Sequence, residues 1–103
     1  MATYDVTGSI NTGPTRVGVM VDGQEMNVER DATGNYAITG TAVSTANPVP
    51  YELRAIGPTN FSVTFKVSLK DQGSAASGSD SPTPPPKIAP RRTLIYDGTI
   101  TVK

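Results

Sequence analysis

The sequence predicts an all-β fold, and the expected architecture is a single antiparallel β-sandwich of about seven strands, immunoglobulin-like or transthyretin-like, with a small β-barrel as the alternative. Apolar and polar residues alternate without a break over residues 60–69. An Asp22-Gly23 turn signal separates two further runs of strand-like sequence. No stretch repeats the spacing of an amphipathic helix, whereas β-branched residues, glycine and proline are abundant.

The most regular stretch, residues 60–69, predicts the central strand of the core. Only a strand brings residues i, i+2 and i+4 to one face. That face carries both phenylalanines of the chain, so we expect the other strands to pack against it and Phe65 to be buried at its centre. Its apolar residues are Phe61, Val63, Phe65, Val67 and Leu69.

A hairpin is predicted around Asp22-Gly23, the dipeptide preferred in two-residue hairpin loops. Such a loop fixes the register of residues 16–21 against residues 24–30. It places apolar residues on one face and pairs opposite charges at the open end, which favours this register over a one-residue slip. The predicted pairs are Val21 with Gln24, Val19 with Met26, Val17 with Val28, and Arg16 with Glu29.

Four other alternating stretches complete the predicted sandwich: residues 3–10, 36–42, 51–56 and 93–102. Residues 43–50 are predicted to form a loop, because Pro48 and Pro50 cannot donate to a ladder of backbone hydrogen bonds.

Residues 70–90 differ in composition from the rest of the chain. They are rich in glycine, serine and proline, and Ile88 is their only large apolar residue. This composition buries little apolar surface, so the entropy of the chain is expected to keep it disordered. We therefore predict one domain over residues 1–103, with a flexible insertion at 70–90 before the last strand. Around Pro84–Pro86 the backbone should be extended and stiffer.

The composition also narrows the chemistry that the chain can perform. Basic and acidic residues balance to a formal net charge of zero, so neither nucleic acid nor membrane insertion is expected. The chain contains no cysteine and no histidine, which removes disulfides, thiolates and the commonest general base. We expect no enzyme activity and no cofactor. The start of the chain carries no signal-peptide pattern, which suggests a cytoplasmic protein or one secreted with its leader removed.

Three motifs lie within residues 6–38: Gly8-Ser9-Ile10, Val17-Gly18-Val19, and the run from Asp31 through Gly34 and Tyr36 to Ile38. Together they resemble the opening half of a carboxypeptidase-regulatory-like or transthyretin-like module. In those modules an Asp-x-x-Gly-x-Tyr/Phe turn leads into a strand. The resemblance implies a sandwich that acts as an accessory or adhesive module and carries no catalytic residues.

The predicted partner-binding residues are Pro84, Pro85, Pro86, Arg91 and Arg92. A proline-rich segment flanked by basic residues is typical of a ligand for a groove on another protein, so residues 70–92 are the expected contact.

Three other kinds of site were weighed. Asp31, Asn35 and Asp22 offer oxygens to calcium, but side-chain capping of a turn is the favoured explanation of the first two, because a calcium shell of about 6–8 oxygens needs more carboxylates than this spacing supplies. Two carboxylates acting as a pair, Glu52 among the candidates, could cleave a glycoside. Tyrosines at strand ends could bind sugars. The carboxylates considered are Glu25, Glu29, Asp31 and Glu52, and the tyrosines are Tyr4, Tyr36, Tyr51 and Tyr96.

The sequence thus predicts a non-enzymatic β-sandwich binding or interaction module. The alternatives are a structural subunit of a larger assembly, which would use its sheet edges, and a carbohydrate-binding module.

Overall fold

The computed structural model describes residues 2–103, which form two antiparallel sheets packed as a sandwich rather than a closed barrel. The five-stranded sheet has the order β4-β5-β1-β7-β8, and the four-stranded sheet has the order β3-β2-β6-β9. The predicted all-β sandwich is confirmed, with nine strands rather than about seven. They are β1 Ala2–Ile10, β2 Arg16–Val21, β3 Gln24–Glu25, β4 Asn27–Arg30, β5 Tyr36–Ser44, β6 Val49–Ile56, β7 Phe65–Asp71, β8 Ser77–Asp80 and β9 Thr93–Ile100.

The core lies between the sheets and is built from alternate residues of their strands. In β6, Tyr51, Leu53 and Ala55 are buried while Arg54 and Ile56 face solvent. Phe65 is 2% exposed and contacts the rings of Tyr51 and Tyr96 edge-on, at centroid distances of 6.2 and 5.7 Å. The predicted central position of Phe65 is confirmed. Within residues 2–103 there is no helix long and apolar enough to cross a membrane.

The predicted hairpin is correct at its turn and wrong at its open end. Val21 pairs with Gln24, and Asp22 and Gly23 have φ angles of 47° and 78°, as a two-residue loop of this hand requires. After Met26 the chain crosses to the five-stranded sheet, where β4 pairs with β5. Val28 and Glu29 there pair with Ile38 and Ala37, so the predicted Val17–Val28 and Arg16–Glu29 pairs do not form. The crossing gives β5 a partner along an edge that would otherwise be unpaired.

The predicted strand at residues 60–69 is shorter than its pattern. The strand β7 begins at Phe65, opposite Ile10 at the end of β1. Just beyond that point, the Asn11 amide donates to the Thr64 carbonyl at 2.9 Å, and the Asn11 side chain takes the place of a backbone acceptor for the Thr64 amide at 3.1 Å. The alternation of burial nevertheless continues back to Val63, which is fully buried.

The predicted loop at residues 43–50 is shorter than expected, because β5 continues to Ser44 and β6 begins at Val49. Pro50 is tolerated in β6 because its nitrogen faces β2, which has already entered its turn. There the Asp22 amide donates to the Pro50 carbonyl at 2.8 Å. The proline therefore removes no backbone hydrogen bond between β6 and β9.

The structure places a strand, which the sequence analysis did not predict, within the flexible insertion predicted at residues 70–90. Residues Lys70 and Asp71 complete β7, and β8 pairs with it as the fifth strand of the sheet. Ile88 is fully buried. A Cβ at Gly78 would overlap the carbonyl oxygen of Thr101, so glycine is needed there for close packing. Backbone pairing and close approach require few apolar side chains, which is why composition alone missed this strand.

Candidate interaction surface

The strand β9 forms an edge of the four-stranded sheet, and its outer side is unpaired. The backbone groups of successive β9 residues alternate in direction. Those of one residue point toward β6 and pair with it, and those of the next residue point away from β6. The Ala89 amide donates to the Thr93 carbonyl at 3.2 Å, so the backbone groups of Thr93 point away from β6. By the alternation, those of Ile95 and Asp97 point the same way. Within residues 2–103, the backbone groups of Ile95, Asp97 and Thr99 have no hydrogen-bond partner on that side.

Both ends of this open edge are bounded by other parts of the chain. At the start of β9, Ala89 bonds to Thr93, and the Gly57 amide donates to the Arg92 carbonyl at 3.0 Å. Past the end of β9, the chain leaves the sheet, and Lys103 exchanges two backbone hydrogen bonds with Ser77 of β8, at 3.0 and 3.1 Å. The open edge therefore spans about one strand length from Leu94 to Ile100.

The other sheet edges are shorter. The edge strands β4 and β8 have four residues each, and β3 has two, whereas β9 has eight. Short edge strands, crossings and covering segments are ways in which proteins prevent unwanted pairing of sheets. Among the described strands, β9 is the one at an edge that is both long and uncovered.

The outer face beside this edge carries exposed apolar side chains. Ile95 is 57% exposed and Ile56 is 42% exposed. Ile56 lies opposite Thr93 and Ile95 opposite Arg54, so the two isoleucines are diagonal neighbours on adjacent strands. Next to them, Gly18 leaves a shallow groove that Arg16 and Arg54 border.

Charges on this outer face divide between its two ends. At the end where β9 begins, Arg16 lies opposite Ile56 and Arg54 opposite Ile95, and Arg91 and Arg92 are exposed in the turn before β9. At the other end, the acidic residues are Asp22, Glu25, Glu52 and Asp97. Arg54 and Glu52 meet in the middle as an ion pair, with Nε and Oε2 3.2 Å apart. The face is therefore basic and apolar at one end and acidic at the other end.

The predicted partner-binding residues occupy two different places. Pro84 is exposed, but Pro85 and Pro86 are partly buried, and the Pro86 carbonyl accepts a hydrogen bond from Val63 at 2.8 Å. Arg91 and Arg92 are exposed in the turn that leads into β9. Both have positive φ angles, 78° and 65°, which are uncommon for residues other than glycine. The buried Ile88 separates the prolines from the arginines along the chain. Only the arginines adjoin the open edge.

The Asp31 side chain is engaged within its own turn, whereas the Asn35 Oδ1 accepts a hydrogen bond from the Thr12 amide of the β1–β2 loop at 2.8 Å. The Asp31 Oδ1 accepts hydrogen bonds from the Thr33 hydroxyl and from the backbone amides of Thr33 and Asn35. The Thr33 hydroxyl and these amides hold the pKa of Asp31 below its usual value. The alternative of turn capping thus accounts for Asp31. In residues 2–103, no three acidic side chains converge on a common point where a metal ion would fit.

The tyrosines belong mainly to the core. Tyr4, Tyr36 and Tyr51 are buried, and Tyr96 is partly buried. The Tyr36 hydroxyl donates to the Pro14 carbonyl at 2.8 Å, and the Tyr51 hydroxyl donates to Asp80 at 2.6 Å. Burial and the neighbouring Asp80 carboxylate raise the pKa of Tyr51. These three rings are not available as stacking platforms for a sugar.

Sequence reasoning named sheet edges in the alternative of a structural subunit but did not identify β9 as the open edge. The pattern of residues 93–102 predicted a strand, but no local pattern says whether a strand lies inside a sheet or at its edge. The exposed Ile95 was the one available signal, since it breaks the polar side of the alternation in that strand.

No protein-family model, no curated protein and no solved structure matches this chain. The resemblance of residues 6–38 to carboxypeptidase-regulatory-like or transthyretin-like modules therefore stays a prediction, as does an immunoglobulin-like assignment.

Proposed function

We propose that this chain is a non-enzymatic interaction module that binds an extended segment of another polypeptide along the β9 edge. The observation that carries the proposal is the row of unpaired backbone groups at Ile95, Asp97 and Thr99. An extended segment that adds to a sheet edge gains main-chain hydrogen bonds, and alternate side chains supply specificity.

The outer face supports the same function. A segment paired with β9 would lay alternate side chains beside Ile95, whose exposed apolar surface continues into Ile56 on the neighbouring strand β6. Arg91 and Arg92 stand at one end of the edge and Asp97 toward the other, so the segment would be read by charge as well as by shape. Of the contact predicted through residues 70–92, this proposal keeps only Arg91 and Arg92.

The alternative of a structural subunit in a larger assembly uses the same edge and differs only in what occupies it. Carbohydrate binding has less support, because three of the four tyrosine rings are buried. An enzymatic role has no support from the carboxylates considered: Glu25 and Glu52 lie on the outer face of one sheet, while Glu29 lies in β4 of the other and Asp31 is bound within its turn.

Selection of peptides tests the proposal directly. A library of displayed ten-residue peptides would be selected on the wild-type chain and counter-selected on the variant Asp97→Pro. The Asp97 amide points away from β6, so proline removes a binding group without removing a bond of the sheet. The matched control is Ser79→Pro at the β8 edge, where the amide also points away from its neighbouring strand.

We expect peptides that bind the wild type and Ser79→Pro but not Asp97→Pro. We also expect the bound peptide to slow amide exchange at Ile95, Asp97 and Thr99. The proposal is wrong if no peptide is enriched, or if the enriched peptides bind Asp97→Pro equally and protect other amides.

A further inference from the structure

This inference rests on the proposed function and names the kind of segment that the β9 edge takes. We infer that the edge binds the carboxyl-terminal tail of another polypeptide, antiparallel to β9, with the last residue of the tail opposite Ile95 and its free carboxylate beside Arg91. The occupant is thus defined by a free end and by a direction, and not only by its extended form.

The edge is closed at the end where β9 begins. In an antiparallel added strand, the residue opposite Thr93 would donate its amide to the Thr93 carbonyl. That carbonyl already accepts the Ala89 amide at 3.2 Å, so Ala89 fills the place of such a residue. A segment that pairs with Thr99, Asp97 and Ile95 therefore meets the backbone of this chain directly after the residue opposite Ile95. It must leave the sheet there or end there.

An unpaired cation stands at this closed end. Arg91 and Arg92 are both exposed in the turn before β9. The Arg92 carbonyl accepts the Gly57 amide at 3.0 Å, and the Arg92 Nε donates to the Gly57 carbonyl at 3.5 Å, which holds this side chain against the end of β6. Among residues 2–103, the Arg91 guanidinium has neither a hydrogen bond nor an ion pair. Arg91 is therefore the arginine that is free to pair with an anion at the end of the edge.

The charges at both ends of the edge favour an antiparallel tail. An antiparallel segment brings its carboxyl end to Arg91, where a carboxylate and a guanidinium form charge-assisted hydrogen bonds. A parallel segment would bring an ammonium group to the same place, and the two cations would repel each other. Toward the other end lie Asp22, Glu52 and Asp97, which would repel a terminal carboxylate and attract a cation.

The register then assigns a preferred side chain to alternate residues of the tail. Side chains of directly opposite residues lie next to each other on the same face of the sheet. The last residue of the tail lies beside Ile95, which is 57% exposed, so an apolar side chain fits there. The residue two positions earlier lies beside Asp97, which is itself opposite Glu52, so a lysine or arginine fits there. The expected tail carries a cation two residues before an apolar terminal residue.

One peptide in three chemical forms tests the free carboxylate. The probe is an acetylated six-residue peptide of serine, with threonine, lysine and valine at its second, fourth and last positions. It is prepared with a free carboxylate, as the carboxamide, and with two further serines after the valine. In titrations followed by amide NMR signals, the first form should bind the wild type about tenfold or more tighter than the other two. Amidation removes the charge-assisted hydrogen bond, and Ala89 obstructs the longer form.

Two variants of the chain test the role of Arg91. Arg91→Gln removes the cation but retains a long polar side chain, so the carboxylate and carboxamide forms should bind it equally. The matched control is Arg92→Gln, which removes the same charge from the same turn at a guanidinium held against Gly57, and should keep the preference for the carboxylate. A nitroxide on the amino end of the peptide reads the direction. It should broaden the amide signal of Thr99 more than that of Thr93.

Several outcomes would overturn the inference. Equal binding of the carboxylate and carboxamide forms to the wild type, with slowed amide exchange at Ile95 and Asp97, would leave the proposed function standing and assign the edge to an internal segment. A preference that survives in Arg91→Gln, or that Arg92→Gln abolishes equally, would place the carboxylate elsewhere. Stronger broadening at Thr93 would reverse the direction. If no form of the probe binds while peptides from the selection described above do, the expected tail is wrong. Failure of both the probe and the selection would remove the proposed function as well.

Discussion

The buried Ile88 gives the sharpest test of the segment that the sequence predicted to be flexible. Its side chain is fully buried, its amide donates to the Phe61 carbonyl at 3.0 Å, and its carbonyl accepts from the Asn60 amide at 2.8 Å. Ile88→Ala removes three carbon atoms from the core but leaves these backbone bonds possible. A change of this kind costs about 2–5 kcal/mol in the free energy of unfolding.

That loss is a large share of the total stability of a small domain, which is about 5–15 kcal/mol. Each kcal/mol corresponds to about 4–8 °C in the melting temperature of a domain of this size, so we expect a fall of at least about 8 °C. The assay is urea unfolding followed by circular dichroism. Ile95→Ala is the matched control, since it makes the same chemical change at an exposed site and should cost less than about 0.5 kcal/mol.

The two variants should be compared without peptide, so that the β9 edge does not contribute. Equal and small losses for both would mean that Ile88 is not packed in the core. The position of residues 81–90 against Phe61 and Val63 would then be wrong. By the same reasoning, replacing residues 70–90 with a short turn should prevent folding, because it deletes β8 and Ile88 together. A shortened chain that melts like the wild type would restore the prediction of a dispensable insertion.

Other predictions concern the core, the fifth strand and the response to pH. Phe65→Ala should lower the free energy of unfolding by about 3–5 kcal/mol, and a melting temperature within a few degrees of the wild type would contradict its burial. Gly78→Ala should cost about 1–3 kcal/mol in urea unfolding and speed amide exchange at Lys103, because its Cβ would collide with Thr101; unchanged exchange would argue against that contact. Burial raises the pKa of Tyr51 in the folded chain. The protonated Tyr51 hydroxyl therefore contributes fully to the free energy of unfolding below its unfolded pKa near 10, and this contribution is lost as the pH rises above that value. Unfolding at pH 9–12 should show a decline that is smaller in Tyr51→Phe, and equal declines would contradict the assignment. Between pH 6 and 8 the melting temperature should stay constant, since the chain has no histidine, the pKa of Asp31 is lowered and the pKa of Tyr51 is raised, both away from that range.

The local pattern of the sequence was enough to determine the fold class and most of the inward-facing residues. Alternation with period two states which side of a strand is apolar, and that side must be buried wherever the strand lies. Tyr51, Leu53, Val63 and Phe65 are buried as the pattern requires. The Asp22-Gly23 turn was likewise determined locally, because two residues must carry the unusual φ angles of that loop.

The tertiary structure alone decided which strands pair and which edges stay open. Residues 27–30 left the predicted hairpin because β5 offered a partner that no local signal reveals. Residues 77–80 became a strand because β7 supplied backbone partners and Gly78 allowed close packing, although their composition predicted disorder. The candidate site depends on the same kind of information. Residues 93–102 read as a strand in the sequence, but only the arrangement of all the others leaves β9 with an unpaired side. Burial is a property of a residue and its pattern, whereas pairing depends on segments far apart in the chain, and this physical difference separates what the sequence determined from what the structure decided.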